Sequence, residues 1–132
     1  MTKDLHDAAC AVRENAYAPY SKFKVGAALR GKDGMIYTAA NVENAAYPQS
    51  QCAEASAIGV MVAQGCRDIV EILVVADTPG DEGVAPCGGC RQRLSEFAGP
   101  DVVVHMADSK KIRRSMTIAE LLPAGFGPKH LK

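Results

Sequence analysis

The sequence predicts an α/β fold in which a mixed β-sheet lies between layers of helices. Three observations carry that expectation. An apolar pattern of helical period opens the chain, an Asp-Gly turn then joins two strand-like runs, and from residue 52 onward helical and strand-like segments alternate. The 132 residues suit one domain, expected to span 1–132, and 48% apolar with 23% charged residues is an ordinary globular balance.

Residues 2–15 are expected to be helix. Leu5, Ala8, Ala9 and Val12 recur at helical spacing, Thr2 is placed to cap the start, and Asp4 and Asp7 suit its positive end. Pro19 breaks the pattern. Segments 23–30 and 35–39 read as a hairpin, because Asp33-Gly34 between them favours a turn with positive φ. Residues 40–51 are too irregular for a regular element and read as loop. Segment 52–64 is apolar on nearly every side, which predicts a helix buried all round and ended by Gly65. The continuous apolar run 69–76 suits a central strand covered on both faces. Pro79, Gly80, Gly83 and Pro86 mark a loop over 77–86. A helix over 87–97, a strand over 102–106 and a short helix over 118–121 before Pro123 complete the expectation.

Charge excludes some functions. Lys plus Arg and Asp plus Glu number 15 each, whereas a protein living on phosphate contacts carries a basic excess, so nucleic acid is not expected as a partner. The basic run Lys110-Lys111-Ile112-Arg113-Arg114 reads instead as a solvated turn and edge strand. No apolar run approaches the roughly 18 residues of a membrane span, and residues 1–7 lack the apolar stretch of a signal peptide. A cytoplasmic protein without membrane contact is expected.

The cysteines are five, an odd number that argues against a disulfide framework. Cys10 and Cys66 have no partner motif and read as core thiols, and His6, His105 and His130 read as surface or packing residues. Cys52-Ala53-Glu54 and Pro86-Cys87-Gly88-Gly89-Cys90 are different. Segment 53–86 is long enough for a helix, a buried strand and a return loop that bring the starts of two helices together. Cysteine at a helix start is favoured as thiolate, and Cys87 and Cys90 lie on one helical turn. Converging soft thiolates suit Zn²⁺, with sulfurs about 2.3 Å away and a fourth position left for water. A structural site closed by another Cys or His stays open as an alternative at this point. Glu54, two residues after a ligand, favours catalysis, because a carboxylate that faces a metal-activated water can shuttle protons.

Cys-Ala-Glu followed by Pro-Cys-x-x-Cys resembles the zinc-dependent nucleoside deaminases. Four further stretches fit one branch: 19–28 (PYSKFKVGAA), 41–47 (NVENAAY), Cys90-Arg91-Gln92 and 121–128 (LLPAGFGP). Over nearly its whole length the chain is similar to the small homotetrameric cytidine deaminases. The resemblance implies a three-layer α/β/α sandwich with about five strands. It also implies hydrolysis of cytidine and 2′-deoxycytidine to the uridine nucleosides with release of ammonia, in pyrimidine salvage. Cys52, Cys87 and Cys90 would hold one Zn²⁺ per chain, and Glu54 would move the protons. The Ala53 N–H would meet the base carbonyl, and Asn41 and Glu43 would grip the ribose 3′-hydroxyl. Phe23 would lie against the pyrimidine, while Phe126 and Tyr47 would enter a neighbouring subunit's site in a homotetramer. The family usually carries Arg directly after the catalytic Glu, bonded to the zinc thiolates; here that position is Ala55. Gln51, Arg91 or Arg93 then becomes the expected substitute donor. Two alternatives accompany this reading: a same-fold deaminase of another aminopyrimidine nucleoside, such as blasticidin S, and a non-catalytic zinc module.

Overall fold

A computed structural model describes residues 2–131 of the chain. Helix α1 (Thr2–Arg13) leads through a loop to the hairpin β1 (Gly26–Gly31) and β2 (Ile36–Ala40). Helix α2 (Ala53–Ala63), strand β3 (Ile69–Val75), helix α3 (Gly88–Phe97) and strand β4 (Ala98–Ala107) follow, then edge strand β5 (Ile112–Thr117) and the short helix α4 (Ile118–Leu121). The five strands form one sheet in the order β2-β1-β3-β4-β5, with β3 and β4 parallel and every other neighbouring pair antiparallel. This is the expected mixed sheet with β3 at its centre.

Side chains alternate across a strand, and that period splits the core in two. On one face Leu5 and Ala9 of α1 meet Ala28, Leu73, Val75 and Ala107. On the other, Ala57 and Met61 of α2, Leu94 of α3, and Ile118 and Leu121 of α4 pack on Ala27, Leu29, Ile72, Val74 and Val104. The layers are therefore α/β/α. Helix α1 crosses the start of β1 so closely that a Cβ on Gly26 would collide with the Ala9 carbonyl oxygen and stand 2.9 Å from Arg13 Cβ. Only glycine fits that crossing.

Several expectations need correction. Thr2 does not cap α1: it is the first helical residue described, and its hydroxyl donates to Glu71 on β3 at 3.0 Å. Strand β1 starts at Gly26 rather than Phe23, because the Phe23 carbonyl and the Val25 N–H are taken by the Asn41 side chain and the Lys24 carbonyl by Arg13. Helix α2 is not buried all round. The sheet covers only one of its faces, which leaves Val60 and Val62 exposed on the other. Strand β4 begins at Ala98, directly after α3, several residues earlier than the apolar run 102–106 suggested. The 40–51 loop contains a single 3₁₀ turn, Tyr47–Gln49.

Candidate active site

The site forms where the first turns of α2 and α3 approach one another. Cys52 is the N-cap of α2 and Cys87 the N-cap of α3, both with extended backbone, and Cys90 lies in the first turn of α3. The opening backbone N–H groups of each helix have no intrahelical acceptor, so both cysteines sit at positive dipole ends. The turn ahead of Cys87 is held from below: Arg91 donates through Nε to the buried Pro86 carbonyl (2.8 Å) and through Nη1 to the Leu121 carbonyl (2.9 Å). A paired backbone bridge between Val42 and Gln51 (3.0 and 2.8 Å) places segment 41–43 beside Cys52.

The sulfurs of Cys52, Cys87 and Cys90 all lie within 4.8 Å of one another, and the Cys52–Cys87 separation is 4.0 Å. Tetrahedral zinc with Zn–S near 2.3 Å needs sulfurs about 3.8 Å apart, so this donor set fits the ion after a contraction of about 0.2 Å between Cys52 and Cys87 and of at most about 1 Å elsewhere. It is the one such cluster among the described residues, which favours the open, three-ligand arrangement over a closed structural site. Without a metal, burial pushes the Cys52 and Cys90 thiols up, whereas the Cys90 backbone N–H holds the Cys87 thiol below its ordinary value. A bound divalent cation reverses that and holds all of them as thiolates.

Glu54 is 5% exposed, and burial raises its pKa above the usual carboxylate value while Arg93 pulls the other way. It lines a cleft of about 280 Å³ together with Cys52, Ala53, Cys87, Phe23, Asn41 and Glu43. That volume is near the lower end of small-molecule sites, roughly 300–1,000 Å³. Asn41 accepts from the Val25 N–H (2.9 Å) and donates to the Phe23 carbonyl (2.8 Å). Glu43 accepts from the backbone N–H groups of Tyr20 (3.0 Å) and Ser21 (3.1 Å) and from the Ser21 hydroxyl. Those hydrogen bonds hold the Glu43 carboxyl below its usual value against a smaller opposing effect of desolvation. Ser21 in turn accepts from the Phe23 N–H at 3.0 Å.

Seven of the sequence-predicted site residues thus line one cleft, and the buried Cys90 joins them through the sulfur cluster. The other two do not reach it from the same chain. Tyr47, 70% exposed, packs edge-on against Tyr20 in an adjoining depression, and Phe126, 55% exposed, stacks on His130 in a separate one. Ser21 escaped the sequence reading, since a lone serine near Pro19 signals only a turn. Cys66 is buried as expected, while Cys10 is only half-buried, with its sulfur 3.6 Å from His6 Nε2. His105 is more than packing: it bridges Glu71 (2.8 Å) and Ser115 (2.7 Å). No helix among the described residues is long and apolar enough to cross a membrane.

Comparison with known proteins gives concordant results. Residues 1–106 match the family model described as the cytidine and deoxycytidylate deaminase zinc-binding region. The chain is 45% identical to a cytidine deaminase of Sporosarcina psychrophila over 90% of this chain and 86% of that protein. It is 46% identical to one of Halalkalibacterium halodurans over 86% of this chain and 85% of that protein. The crystal structure of a cytidine deaminase from Burkholderia pseudomallei superposes with a TM-score of 0.88 at 42% identity, covering 96% of this chain and 99% of the other.

Proposed function

The chain belongs to the zinc-dependent cytidine and deoxycytidylate deaminase family, and from that premise we propose that it hydrolyses cytidine and 2′-deoxycytidine to the uridine nucleosides, releasing ammonia. The observation that carries this reading is the cysteine trio at two helix mouths, with Cys52 and Cys87 opening on the same cleft as a buried Glu54. Cys52, Cys87 and Cys90 would hold one zinc ion per chain. Bound there, the ion would supply a Lewis acid that lowers the pKa of the attacking water toward neutrality.

The remaining work belongs to the chain's own groups. Glu54, shielded from bulk water, takes a proton from the attacking water and passes it to ring N3 as C4 is attacked, then takes the proton of the new C4 hydroxyl and delivers it to the departing amine as the carbonyl forms. Its raised pKa suits a group that must both accept and donate near neutral pH. The free Ala53 N–H at the mouth of α2 donates to the base carbonyl. Phe23 walls the pyrimidine. Asn41 keeps one amide hydrogen beyond its bond to Phe23, and Glu43 keeps acceptor capacity, so the pair serves the ribose 3′-hydroxyl as donor and acceptor.

The reading extends to self-association. Val60 and Val62 on α2, with Tyr47 and Phe126, form apolar surface that one copy leaves uncovered, which supports a homotetramer whose subunits lend Tyr47 and Phe126 to neighbouring clefts. A role in pyrimidine salvage in the cytoplasm, with the whole of 1–132 acting as one domain, completes the proposal. Spectrophotometric conversion of cytosine to uracil, run on the parent and on Glu54→Gln, tests it. Turnover by the parent, abolished in the variant with zinc retained at one per chain, is the expected result. Failure of the parent to deaminate either nucleoside refutes it.

A further inference from the structure

Three thiolates around a divalent ion leave a net negative charge, and Glu54 adds a second anion when ionised. Among the described residues one cation stands against this cluster: Arg93 Nη1 donates to Cys90 Sγ at 4.0 Å, and Arg93 is the cation whose field acts on Glu54. Its place follows from helix geometry, since residues three apart share a face. The neighbours leave room for it. A Cβ on Gly89 would stand 3.2 Å from Arg93 Nη1, and Ala55 lines the same surface depression as Arg93, Gln51 and Cys52. Of the other candidates, Arg91 is engaged on the Pro86 and Leu121 carbonyls, and Gln51 is a neutral amide that brings no charge.

We propose that Arg93 is the charge-balancing residue of the metal centre, its guanidinium anchored on the Cys90 sulfur across the turn that Gly89 and Ala55 keep clear. The inference rests on the zinc assignment above and adds a positioning residue that acts through Cys90 rather than on substrate. By neutralising part of the thiolate charge, Arg93 tightens zinc and leaves the ion more electrophilic toward the water it activates. Arg93 is not among the residues that line the cleft with Asn41, Glu43 and Phe23, so nucleoside binding is expected to be unchanged.

Zinc-loaded parent, Arg93→Lys, Arg93→Gln and Arg93→Ala proteins, challenged at fixed pH with a chromophoric chelator, provide the test, with kcat and KM for cytidine measured alongside. Arg93 is exposed, so these variants keep the fold. Zinc affinity is expected to fall about tenfold in the Gln and Ala variants, the lower end for residues supporting metal ligands, with Lys between them and the parent. Turnover falls through kcat at unchanged KM. Zinc held as tightly by Arg93→Gln as by the parent, or as loosely by Arg93→Lys as by Arg93→Gln, overturns the inference. A parent that binds no zinc at all instead overturns the reading of the site, so the two failures are distinct.

Discussion

Replacing Gly26 by alanine probes how the α1 layer meets the sheet behind the cleft. The added methyl would stand 2.9 Å from Arg13 Cβ and collide with the Ala9 carbonyl oxygen. Carbon–carbon contacts settle at about 3.5–4.0 Å, so α1 must retreat by roughly 0.6–1 Å. The colliding atom is helix backbone, and no rotamer change relieves it. Overpacking of this kind costs about 1–3 kcal/mol, and a backbone clash belongs in the upper half of that range. Stiffening the unfolded chain by Gly→Ala returns about 0.4–1 kcal/mol. The net loss is about 1–2.6 kcal/mol, or a fall in Tm of about 4–9 °C for a chain of this size. Val25, adjacent in sequence, lines the cleft, so KM for cytidine rises as well. Thermal and urea unfolding of the zinc-loaded protein measure the first effect and steady-state kinetics the second. A Gly26→Ala protein as stable as its parent would refute the described crossing of α1 over β1.

Other substitutions separate the parts of the site. Glu54→Gln is expected to lower kcat by about 10²–10⁴ with zinc content unchanged, read by turnover and metal analysis; activity within tenfold of the parent excludes Glu54 as the proton carrier. Ser21→Ala removes the hydroxyl that joins Glu43 to the Phe23 N–H, so KM should rise with kcat preserved, and a change confined to kcat would contradict that role. Leu94→Ala deletes carbons from a fully buried position one turn beyond Cys90; about 0.8 kcal/mol per carbon plus a cavity term gives about 3–4 kcal/mol, measurable by urea titration. Burial works to raise the pKa of Glu71, yet hydrogen bonds from His105, Thr2 and Arg30 outweigh it and the net shift is downward from 4.5. The stability it lends is therefore full above the unfolded-state value and drains away as pH falls through the lower folded one. Below about pH 4.5 the parent should lose stability more steeply than Glu71→Gln, and parallel urea midpoints for the two would disprove the network.

Local chemistry made much of the fold legible. The Asp33-Gly34 turn, the apolar run of β3 and the glycine and proline loop after it are short-range signals, and each lies where its residues predict. The cysteine trio was legible for the same reason: two N-caps and an i, i+3 pair are local features, and only their meeting is tertiary. What escaped depended on neighbours. Nothing in Phe23-Lys24-Val25 signals that an asparagine sixteen residues beyond Val25 takes over its backbone bonds. The burial of α2 was overestimated because an all-apolar helix does not reveal whether its second face meets its own chain or another copy. Arg93 was one of several possible donors until geometry removed Arg91, whose guanidinium holds Pro86 and Leu121.

Asn41 and Glu43 are at once the proposed sugar contacts and the fasteners of segment 20–25, which carries the aromatic wall. Recognition of the pentose and placement of the heterocycle are thereby one mechanical event. Anyone redesigning this enzyme for an altered furanose cannot trade either side chain in isolation, because the tether of the opposite wall goes with it. A workable redesign must first supply that wall with independent moorings.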